Sequence, residues 1–314
     1  MLCNKTKKRF INLSGPLYNI YSFYKLRNLK NCDPRKIADK RYFKTFGRHI
    51  DWNHPTEFNE KIRWMQFNTD TSKWTLLADK YKVRDYVKSK GYEDILIPLL
   101  GMWEKAEDID FDTLPQSFVI KTNHGCGEVI TVSNKTKVNM KIIRSKMKHF
   151  LNTPFGYRTA EPHYLKIPPV IIAEYLLEND CTWSSSLVDY KFYCFHGEPY
   201  CCAVFFNRDI VNHKRCAEIY DMEWCRHDEW INDNHKPEVT IDIPCPRCFN
   251  QMINACQDLS AEFPFVRMDF YEVNGYLYFG EFTFTPAAMT GGSLSQVLLD
   301  KLGELIDVTK YLKR

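Results

Sequence analysis

The chain has 314 residues, of which 44% are hydrophobic, 15% aromatic and 26% charged. This balance is typical of a globular protein with a sizeable core and excludes an intrinsically disordered chain. The net charge of +4 hides a basic block, because residues 1–50 carry thirteen Lys or Arg and only two Asp. Such a block is typical of a solvated helical surface, and it also suits contact with an anionic membrane or an acidic polymer. Motifs for nucleic-acid binding are absent, so no nucleic-acid partner is expected.

The cellular compartment is predicted from apolar runs and cysteines. No apolar stretch approaches about 18 residues, since polar residues interrupt Phe10–Tyr24, and no secretory signal is expected. Twelve scattered cysteines in a well-cored chain indicate reduced thiols. Cys245 and Cys248 form a CxxC pair that Cys225 and His227 would complete as an irregularly spaced zinc site, with free cysteines as the alternative. The sequence predicts a cytoplasmic protein whose basic segment can touch the inner face of the membrane.

The first predicted elements along the chain are helices. Thr56 is suited to cap the N-terminus of one helix, and Leu76–Lys90 is predicted as a second helix that ends at Gly91. Further on, apolar residues at helical spacing predict helices over Met140–Leu151 and Arg247–Phe263.

Strands are predicted from about residue 109 onward. Short apolar runs predict them at Phe118–Lys121, Val129–Val132, Val170–Leu176, Asp189–Phe195, Tyr200–Phe206, Phe265–Val273 and Tyr276–Phe284. Asn274-Gly275, between the last two, is the strongest short hairpin signal in the chain. The fold class is therefore predicted as α+β with antiparallel sheets, in which helices come first along the chain and strands follow.

A lysine and two glycines follow the first of these strands. Phe118-Val-Ile-Lys121 ends the strand, and the chain then turns through Gly125 and Gly127. Such a loop lets backbone N–H groups approach phosphate oxygens while the lysine neutralises their charge. A plain hairpin with an exposed lysine explains the segment equally well.

Two carboxylates lie on the arms of the last hairpin. Asp269 and Glu281 would be suited to hold the Mg²⁺ that bridges nucleotide phosphates, and Arg267 to orient a carboxylate or to contact a transferred phosphoryl group. A two-residue loop pairs Asp269 with Gly280 and puts Glu281 on the opposite face. A three-residue loop pairs Asp269 with Glu281, so a metal site requires the longer loop, a bulge or divergence of the strand ends. The alternative is that these charges simply occupy the solvent face.

A third group of polar residues lies on neighbouring strands. Glu174 ends an apolar strand, where its carboxylate can accept from a ribose hydroxyl or an adenine amine while the adjoining backbone supplies base contacts. Asp189 and Lys191 begin the next strand and would complete that wall. Taken alone, each of these segments is only weak evidence for a nucleotide-binding site.

The order of these segments is more specific than any one of them. The chain resembles the ATP-grasp superfamily, and within it the TupA-like branch named for teichuronopeptide biosynthesis, from about Phe58 to Leu299. The residues that carry the resemblance are Phe58-Asn-Glu-Lys-Ile-Arg-Trp, Ala78-Asp-Lys-Tyr, Lys121-Thr-Asn-His-Gly, Asp189-Tyr-Lys-Phe-Tyr-Cys-Phe-His-Gly and Gly280-Glu-Phe-Thr-Phe-Thr-Pro.

This resemblance implies a fold and a domain organisation. In the ATP-grasp fold, antiparallel sheets with flanking helices hold the nucleotide between two α+β subdomains. We accordingly expect a helical, basic N-terminal region with a reduced pre-ATP-grasp part over residues 1–110. A lid subdomain would span residues 111–178, and a C-terminal subdomain with the metal site would span residues 179–314.

The resemblance also implies roles for single residues. Lys80 and Lys121 would contact the adenine side and the α- and β-phosphates, and the loop His124–Gly127 would close over the phosphates. Residues Glu174, Tyr175 and Leu176 would contact adenine, and Asp189 would hold the ribose.

At the reacting centre, Lys191 and Arg267 would be the catalytic residues, and Asp269 and Glu281 would bind Mg²⁺. Thr283 departs from the asparagine that many members have at this metal-binding position, and its hydroxyl is a weaker ligand for a hard cation. Cys126 is interpreted as a small loop residue, with a nucleophilic role as the alternative.

The implied reaction is activation of a carboxylate by the γ-phosphate of ATP, with attack of an amine on the resulting acyl phosphate. The acceptor would bind near Thr285–Ser293, and the family context suggests capsular or exopolysaccharide assembly. Two alternatives remain open: a glycan-directed glycosyl- or phosphotransferase, and a nucleotide-binding module without turnover.

Overall fold

Two antiparallel sheets organise the chain in the computed structural model, which describes residues 29–209, 214–237 and 241–311. The first sheet contains β1 (Leu99–Trp103), β2 (Phe118–Thr122), β3 (Val129–Val132) and β4 (Ile171–Tyr175), in the order β1-β4-β2-β3. The second contains β5 (Asp189–Phe195), β6 (Glu198–Asp209), β7 (Lys214–Tyr220), β8 (Val266–Val273) and β9 (Tyr276–Thr283), in the order β7-β6-β5-β8-β9. The predicted α+β class with antiparallel sheets is confirmed.

Helices cover these sheets and form the N-terminal part of the described chain. They are α1 (Pro34–Phe46), α2 (Phe58–Asn68), α3 (Ser72–Ala78), α4 (Val83–Ser89), α5 (Met140–Leu151), α6 (Gly156–Thr159), α7 (Phe249–Ser260) and α8 (Gln296–Glu304). Helix α5 buries Ile143 and Met147 in the core of the four-stranded sheet, and α7 buries its apolar stripe against the five-stranded sheet. In the described part of the chain, no helix is long and apolar enough to cross a membrane.

The helix predicted over Leu76–Lys90 is two helices, because Asp79 interrupts it. The Asp79 carboxylate accepts hydrogen bonds from the backbone N–H of Tyr81 and Lys82, at 2.9 and 3.2 Å, and from the Asn123 side chain at 2.8 Å. Asp favours such local bonds over a continuing helix. The break ties the segment that carries Lys80 to the loop after β2. Gly91, with φ +86°, does end the second helix as predicted.

The helix predicted over Met140–Leu151 has the predicted bounds, and two others differ from their predictions only at the ends. Glu57, rather than Thr56, caps α2, since its carboxylate accepts from the backbone N–H of Asn59 and Glu60. Helix α7 begins two residues later and ends three residues earlier than predicted.

The four-stranded sheet crosses one of the predicted domain boundaries. Strand β1 lies before residue 110 and pairs with β4, so the four-stranded sheet takes an edge strand from the region assigned to the N-terminal part. The basic block is described only from residue 29 onward, and the rest of it lies outside the described residues. The division into 1–110, 111–178 and 179–314 stays a prediction.

A buried arginine joins three separate segments beside the five-stranded sheet. Arg63, on α2, is 0% exposed and donates to the backbone oxygens of Thr159 and Ala160, at 2.9 and 2.7 Å, and to that of Ala288. Ala160 and Ala288 both have left-handed backbones, with φ of +57° and +51°. Non-glycine residues rarely adopt this conformation unless their surroundings impose it. The arginine therefore fixes the local shape of the loop after β9.

Replacing this arginine tests that role. In Arg63→Met, the carbonyl groups of Thr159 and Ala288 lose the donor given by Arg63. That of Ala160 keeps only its bond from Gln66, and Glu161 loses a neighbouring cation. We expect the free energy of unfolding, measured by urea denaturation, to fall by about 3–5 kcal/mol. The control is Arg35→Met, which removes an exposed arginine that also donates to a carbonyl, that of Phe67. Its expected loss is below about 1 kcal/mol. Equal losses in the two variants would contradict a central role for Arg63.

Candidate functional site

A β-bulge brings the two predicted metal carboxylates onto one face. Val273 pairs with Tyr276 across a two-residue turn, Asn274-Gly275, whose φ values are +53° and +76°. Phe270 still pairs with Phe279, but Asp269 pairs with Glu281, so Gly280 is the extra residue. The two-residue loop and the bulge occur together. Without the bulge, this loop would place Glu281 on the opposite face.

Glycine is required at the bulge because the backbones approach closely there. A Cβ at position 280 would lie 2.9 Å from the backbone oxygen of Asp269 and 3.2 Å from the ring of Tyr271. Real Cβ atoms essentially never come that close to a backbone oxygen. The register of the site therefore depends on this residue.

Asp269 is surrounded by two cationic side chains. It is 1% exposed, and its oxygens accept from Nε and Nη2 of Arg267, each at 2.7 Å. Lys191 Nζ also donates to Asp269 and lies 3.2 Å from Asp189. A bidentate arginine–carboxylate pair has fixed geometry and is among the stronger charge-assisted contacts. Asp269 is thus held in one orientation by its neighbours on β5 and β8.

Glu281 is more open and faces a different lysine. Its side chain is 32% exposed, with Oε2 3.4 Å from Lys80 Nζ and Oε1 3.6 Å from Arg267 Nη2. Burial alone would raise the pKa of this carboxyl, but Lys80, Lys191 and Arg267 outweigh burial and lower it to about 2. Glu281 is therefore ionised at neutral pH.

Thr283 completes this face of β9. Its hydroxyl accepts from Arg267 Nη2 at 3.0 Å and donates to Glu281 Oε1 at 3.4 Å. Hard divalent cations prefer oxygen ligands of this kind, namely carboxylates supported by a hydroxyl. The donor set of Asp269, Glu281 and Thr283 fits Mg²⁺, and the neighbouring cations fit phosphate oxygens.

On the other sheet, Lys121 and Glu174 form an ion pair. Lys121 Nζ lies 2.6 Å from Glu174 Oε2, and Arg84 Nη1 lies 3.4 Å from Glu174 Oε1. The pair follows from strand register, since Val119 of β2 is opposite Glu174 and Lys121 is two residues along the same face. Lys121 is also close enough for its charge to lower the pKa of Glu281. The two sheets thus present their charged residues to one another.

The glycine loop after β2, residues 124–127, is linked to Glu281 through Lys80. Lys80 Nζ donates to the backbone oxygen of Gly125 at 2.7 Å, which links the loop to Glu281 through one ammonium group. A Cβ at Gly125 would lie 2.4 Å from a Glu128 carboxylate oxygen, and Gly127 has φ +84°. The left-handed backbone favours glycine at position 127, whereas a side chain at position 125 would have to displace the Glu128 carboxylate.

The other two residues of the loop stay neutral. His124 is 5% exposed, and burial lowers its pKa, so it is neutral near pH 7. Desolvation and then the charge of Glu281 raise the pKa of the Cys126 thiol. A protonated thiol is a poor nucleophile, which favours the interpretation of Cys126 as a small loop residue.

A cleft of about 340 Å³ lies where the first sheet meets the β8–β9 hairpin. It is lined by Pro98, Tyr175, Leu176, Leu177, Glu178, Val273, Asn274 and Tyr278. Two of the predicted adenine contacts, Tyr175 and Leu176, therefore face one cavity. Asp189, the predicted ribose ligand, does not line it; it is 3% exposed and pairs with Lys191 and with Arg208. The structure brings Asp189 to the metal side instead.

Three residues of this site were not among the predicted site residues. Arg84 follows Lys80 by four residues, so the predicted helix Leu76–Lys90 would already have placed the two cations on one side. Arg208, which pairs with Asp189, carries no local sequence signal. Gly280 was considered only as a possible partner of Asp269.

The alternative zinc site finds no support in the described ranges. Within residues 29–209, 214–237 and 241–311, no group of three or more His, Cys, Asp or Glu side chains is placed to hold a metal ion. Cys248 is buried and donates to the backbone oxygen of Gly275, while Cys225 and Cys245 are exposed. His227 instead lies 2.8 Å from an oxygen of Asp221.

A protein-family model described as TupA-like ATPgrasp matches residues 60–307. This match covers well over half of the chain, and the chain belongs to the TupA-like ATP-grasp family. The resemblance stated from the motifs, and the ATP-grasp fold with it, are confirmed. No curated protein matches the chain.

Solved structures show distant similarity to this chain. A D-alanine–D-alanine ligase from Bacillus anthracis is 16% identical, with 82% of this chain and 70% of that chain covered and a TM-score of 0.43. The ATP-grasp ligase PsnB complexed with a minimal precursor is 12% identical, with 78% and 68% covered and a TM-score of 0.41. The ADP complex of purK, an N5-carboxyaminoimidazole ribonucleotide synthetase, is 10% identical, with 71% and 49% covered and a TM-score of 0.41.

A glycine substitution at the bulge tests whether register controls the site. Gly280→Ala must shift the backbone near Asp269, so we expect the affinity for Mg²⁺ with a non-hydrolysable ATP analogue, measured by calorimetry, to fall at least about tenfold. The matched control is Gly275→Ala, where φ is +76° but the nearest atom lies 3.7 Å away. This control should lose about 1 kcal/mol of stability and keep its affinity. Equal affinities in wild type and Gly280→Ala would show that the bulge is not needed.

Proposed function

We propose that this chain is an ATP- and Mg²⁺-dependent ligase that joins a carboxylate to an amine. The observation that supports this most strongly is the shared face of Asp269 and Glu281, bordered by Arg267, Lys191 and Lys80. Family membership supports the nucleotide, and the lysines on both sheets support a bound triphosphate. We also propose, on the strength of the family, a place in capsular or exopolysaccharide assembly.

In this proposal Asp269, Glu281 and Thr283 would hold Mg²⁺, which would neutralise the phosphate oxygens and polarise the γ-phosphorus. Lys121 and Lys80 would bind the phosphates, and the loop His124–Gly127 would exclude water from them. Tyr175 and Leu176 would line the adenine cleft beside Glu174. Asp189 is retained as the proposed ribose ligand, although its ion pairs with Lys191 and Arg208 must open first.

The chemistry would proceed in two displacements. A carboxylate oxygen of the first substrate attacks the γ-phosphorus, the bond to the β-phosphate oxygen breaks, and ADP leaves. An amine then attacks the acyl carbon, loses a proton and expels inorganic phosphate. Arg267 and Lys191 would stabilise the charge on the transferred phosphoryl group, and no side chain of the protein needs to act as a nucleophile.

We also propose a role for each of the three parts of the chain. Residues 111–178 would act as a lid over the nucleotide, residues 179–314 would carry the metal site, and residues 1–110 would support both. The protein would reside in the cytoplasm, with residues 1–50 able to touch an anionic membrane. Cell fractionation with and without this segment tests the last point.

Nucleotide binding is the first test of the proposal. We expect calorimetry to show binding of the ATP analogue that requires Mg²⁺ in wild type and is weakened at least about tenfold in Glu281→Ala and in Lys121→Ala. The controls are Glu223→Ala and Lys137→Ala, which remove exposed charges outside the site. Binding that is absent in wild type, or unchanged in both site variants, would overturn the assignment.

Turnover then separates the competing functions. ADP release that requires both a carboxylate and an amine supports the ligase. Transfer of phosphate or sugar to a glycan supports the transferase alternative. Tight Mg²⁺-dependent binding without turnover across the substrate panel supports a nucleotide-binding module that has lost catalysis.

A further inference from the structure

An N-terminal helix contacts the loop that follows the metal strand. Helix α1 precedes residues 60–307, the part matched by the family model. Nevertheless, Thr45 Oγ1 donates to the backbone oxygen of Thr290 at 2.9 Å, and Arg41 Nη2 donates to Thr290 Oγ1 at 3.3 Å. We call residues 285–293 the acceptor loop. The helix therefore forms one wall beside this loop.

Two arginines near the acceptor loop differ in how fully their donors are used. Arg63 makes four hydrogen bonds through Nη1 and Nη2, three of them between 2.7 and 2.9 Å. Arg41 makes two long ones, 3.3 Å to Thr290 and 3.5 Å to the Arg158 backbone oxygen. The Nε atoms of both arginines are buried without a partner, so the two differ only in the bonds of their Nη groups. A guanidinium has five N–H donors, so most of the capacity of Arg41 is unused.

The side chains around Arg41 also carry an excess of positive charge. Glu161 is the buried carboxylate near it, but Glu161 also faces Arg63 and accepts a hydrogen bond from Thr285. In the described residues, no carboxylate lies within 4 Å of a guanidinium nitrogen of Arg41 or Arg158. A half-buried cation without its own anion is costly, because little water remains to solvate it. The cluster is suited to receive one more negative charge.

The acceptor loop connects the metal strand β9 to the residue that contacts Arg41. Thr283 ends β9 and Thr285 begins the acceptor loop two residues later, about 7 Å farther along an extended chain. Thr285 donates to Glu161, and Thr290, five residues farther along the loop, contacts Arg41. The acceptor loop thus runs from the end of the metal strand to the residue that Arg41 contacts.

We propose that Arg41, assisted by Arg158, binds a carboxylate of the substrate that lies along the acceptor loop. This substrate then carries an anionic group in addition to its reacting group, as a dicarboxylic acid or an amino acid does. Arginine is suited to this task because its planar fork matches the two oxygens of a carboxylate. The role in turnover rests on the proposed ligase function, whereas the binding of the anion does not.

The test uses glutarate, which has two carboxylates, and its neutral diamide, glutaramide. Binding is followed by saturation-transfer difference NMR at about 10 mM ligand, a concentration suited to weak binding. Samples are measured with and without Mg²⁺ and the non-hydrolysable ATP analogue, so that the triphosphate site is filled in one series. The proteins are wild type, Arg41→Met, Arg41→Lys and the control Lys36→Met. Lys36 lies five residues before Arg41, on the opposite side of α1.

We expect glutarate to give a signal in wild type that falls at least about fivefold in Arg41→Met, is partly kept in Arg41→Lys and is unchanged in Lys36→Met. Thermal unfolding of each variant verifies that it is folded. Three results would overturn the proposal: no glutarate signal in wild type, equal signals in wild type and Arg41→Met, or glutaramide binding as strongly as glutarate.

Failure of the ligase function is recognised separately, by the absence of nucleotide binding or of ADP release in wild type. Where a carboxylate–amine pair supports ADP release, Arg41→Met should raise the KM of the anionic substrate about tenfold. The KM of ATP should stay unchanged and kcat should change less than about threefold. An equal loss in every parameter would indicate a general structural role for Arg41.

Discussion

The site depends on a single extra residue in β9. An uninterrupted antiparallel strand alternates its side chains, and the two-residue turn at Asn274-Gly275 alone would direct Glu281 away from Asp269. The bulge at Gly280 restores the pairing and so brings two carboxylates side by side. Two neighbouring negative charges repel each other, and the guanidinium of Arg267, two residues from Asp269 on the same face, offsets that repulsion. The paired carboxylates therefore need cationic side chains beside them.

The loop after β9 shows a second constraint, which acts from outside the sheet. Three consecutive residues, Ala287 to Met289, have left-handed backbones, and such runs are rare in chains of L-residues. The Arg63 guanidinium donates to the carbonyl group of Ala288 and, at the same time, to those of Thr159 and Ala160. A charged side chain from α2 thus holds the loop in a shape that local sequence preferences disfavour. Such stored strain is common at binding sites.

The sequence was sufficient for some of these features. Short apolar runs predicted the strands that carry Lys121, Glu174 and Asp269, and the motif order predicted the family. The register was left open, because a bulge is a departure from alternation that no period-two pattern contains. Asp79 ended a helix that its apolar periodicity would have continued, since its side chain bonds to two backbone amides and to Asn123. The pairing of Asp189 with Arg208 joins residues on neighbouring strands and has no local signal.

The charges described for the two sheets have a kinetic consequence. Six cationic side chains, Lys80, Lys121, Lys191, Arg84, Arg208 and Arg267, meet four carboxylates, Glu174, Asp189, Asp269 and Glu281. Among these ten side chains the surplus is positive, and the facing walls of protein concentrate its field in the space between them. A polyanion that diffuses past is drawn inward before any contact forms. Salt shortens the reach of this attraction to about 8 Å at physiological ionic strength, so dilute buffers speed the encounter and concentrated ones slow it.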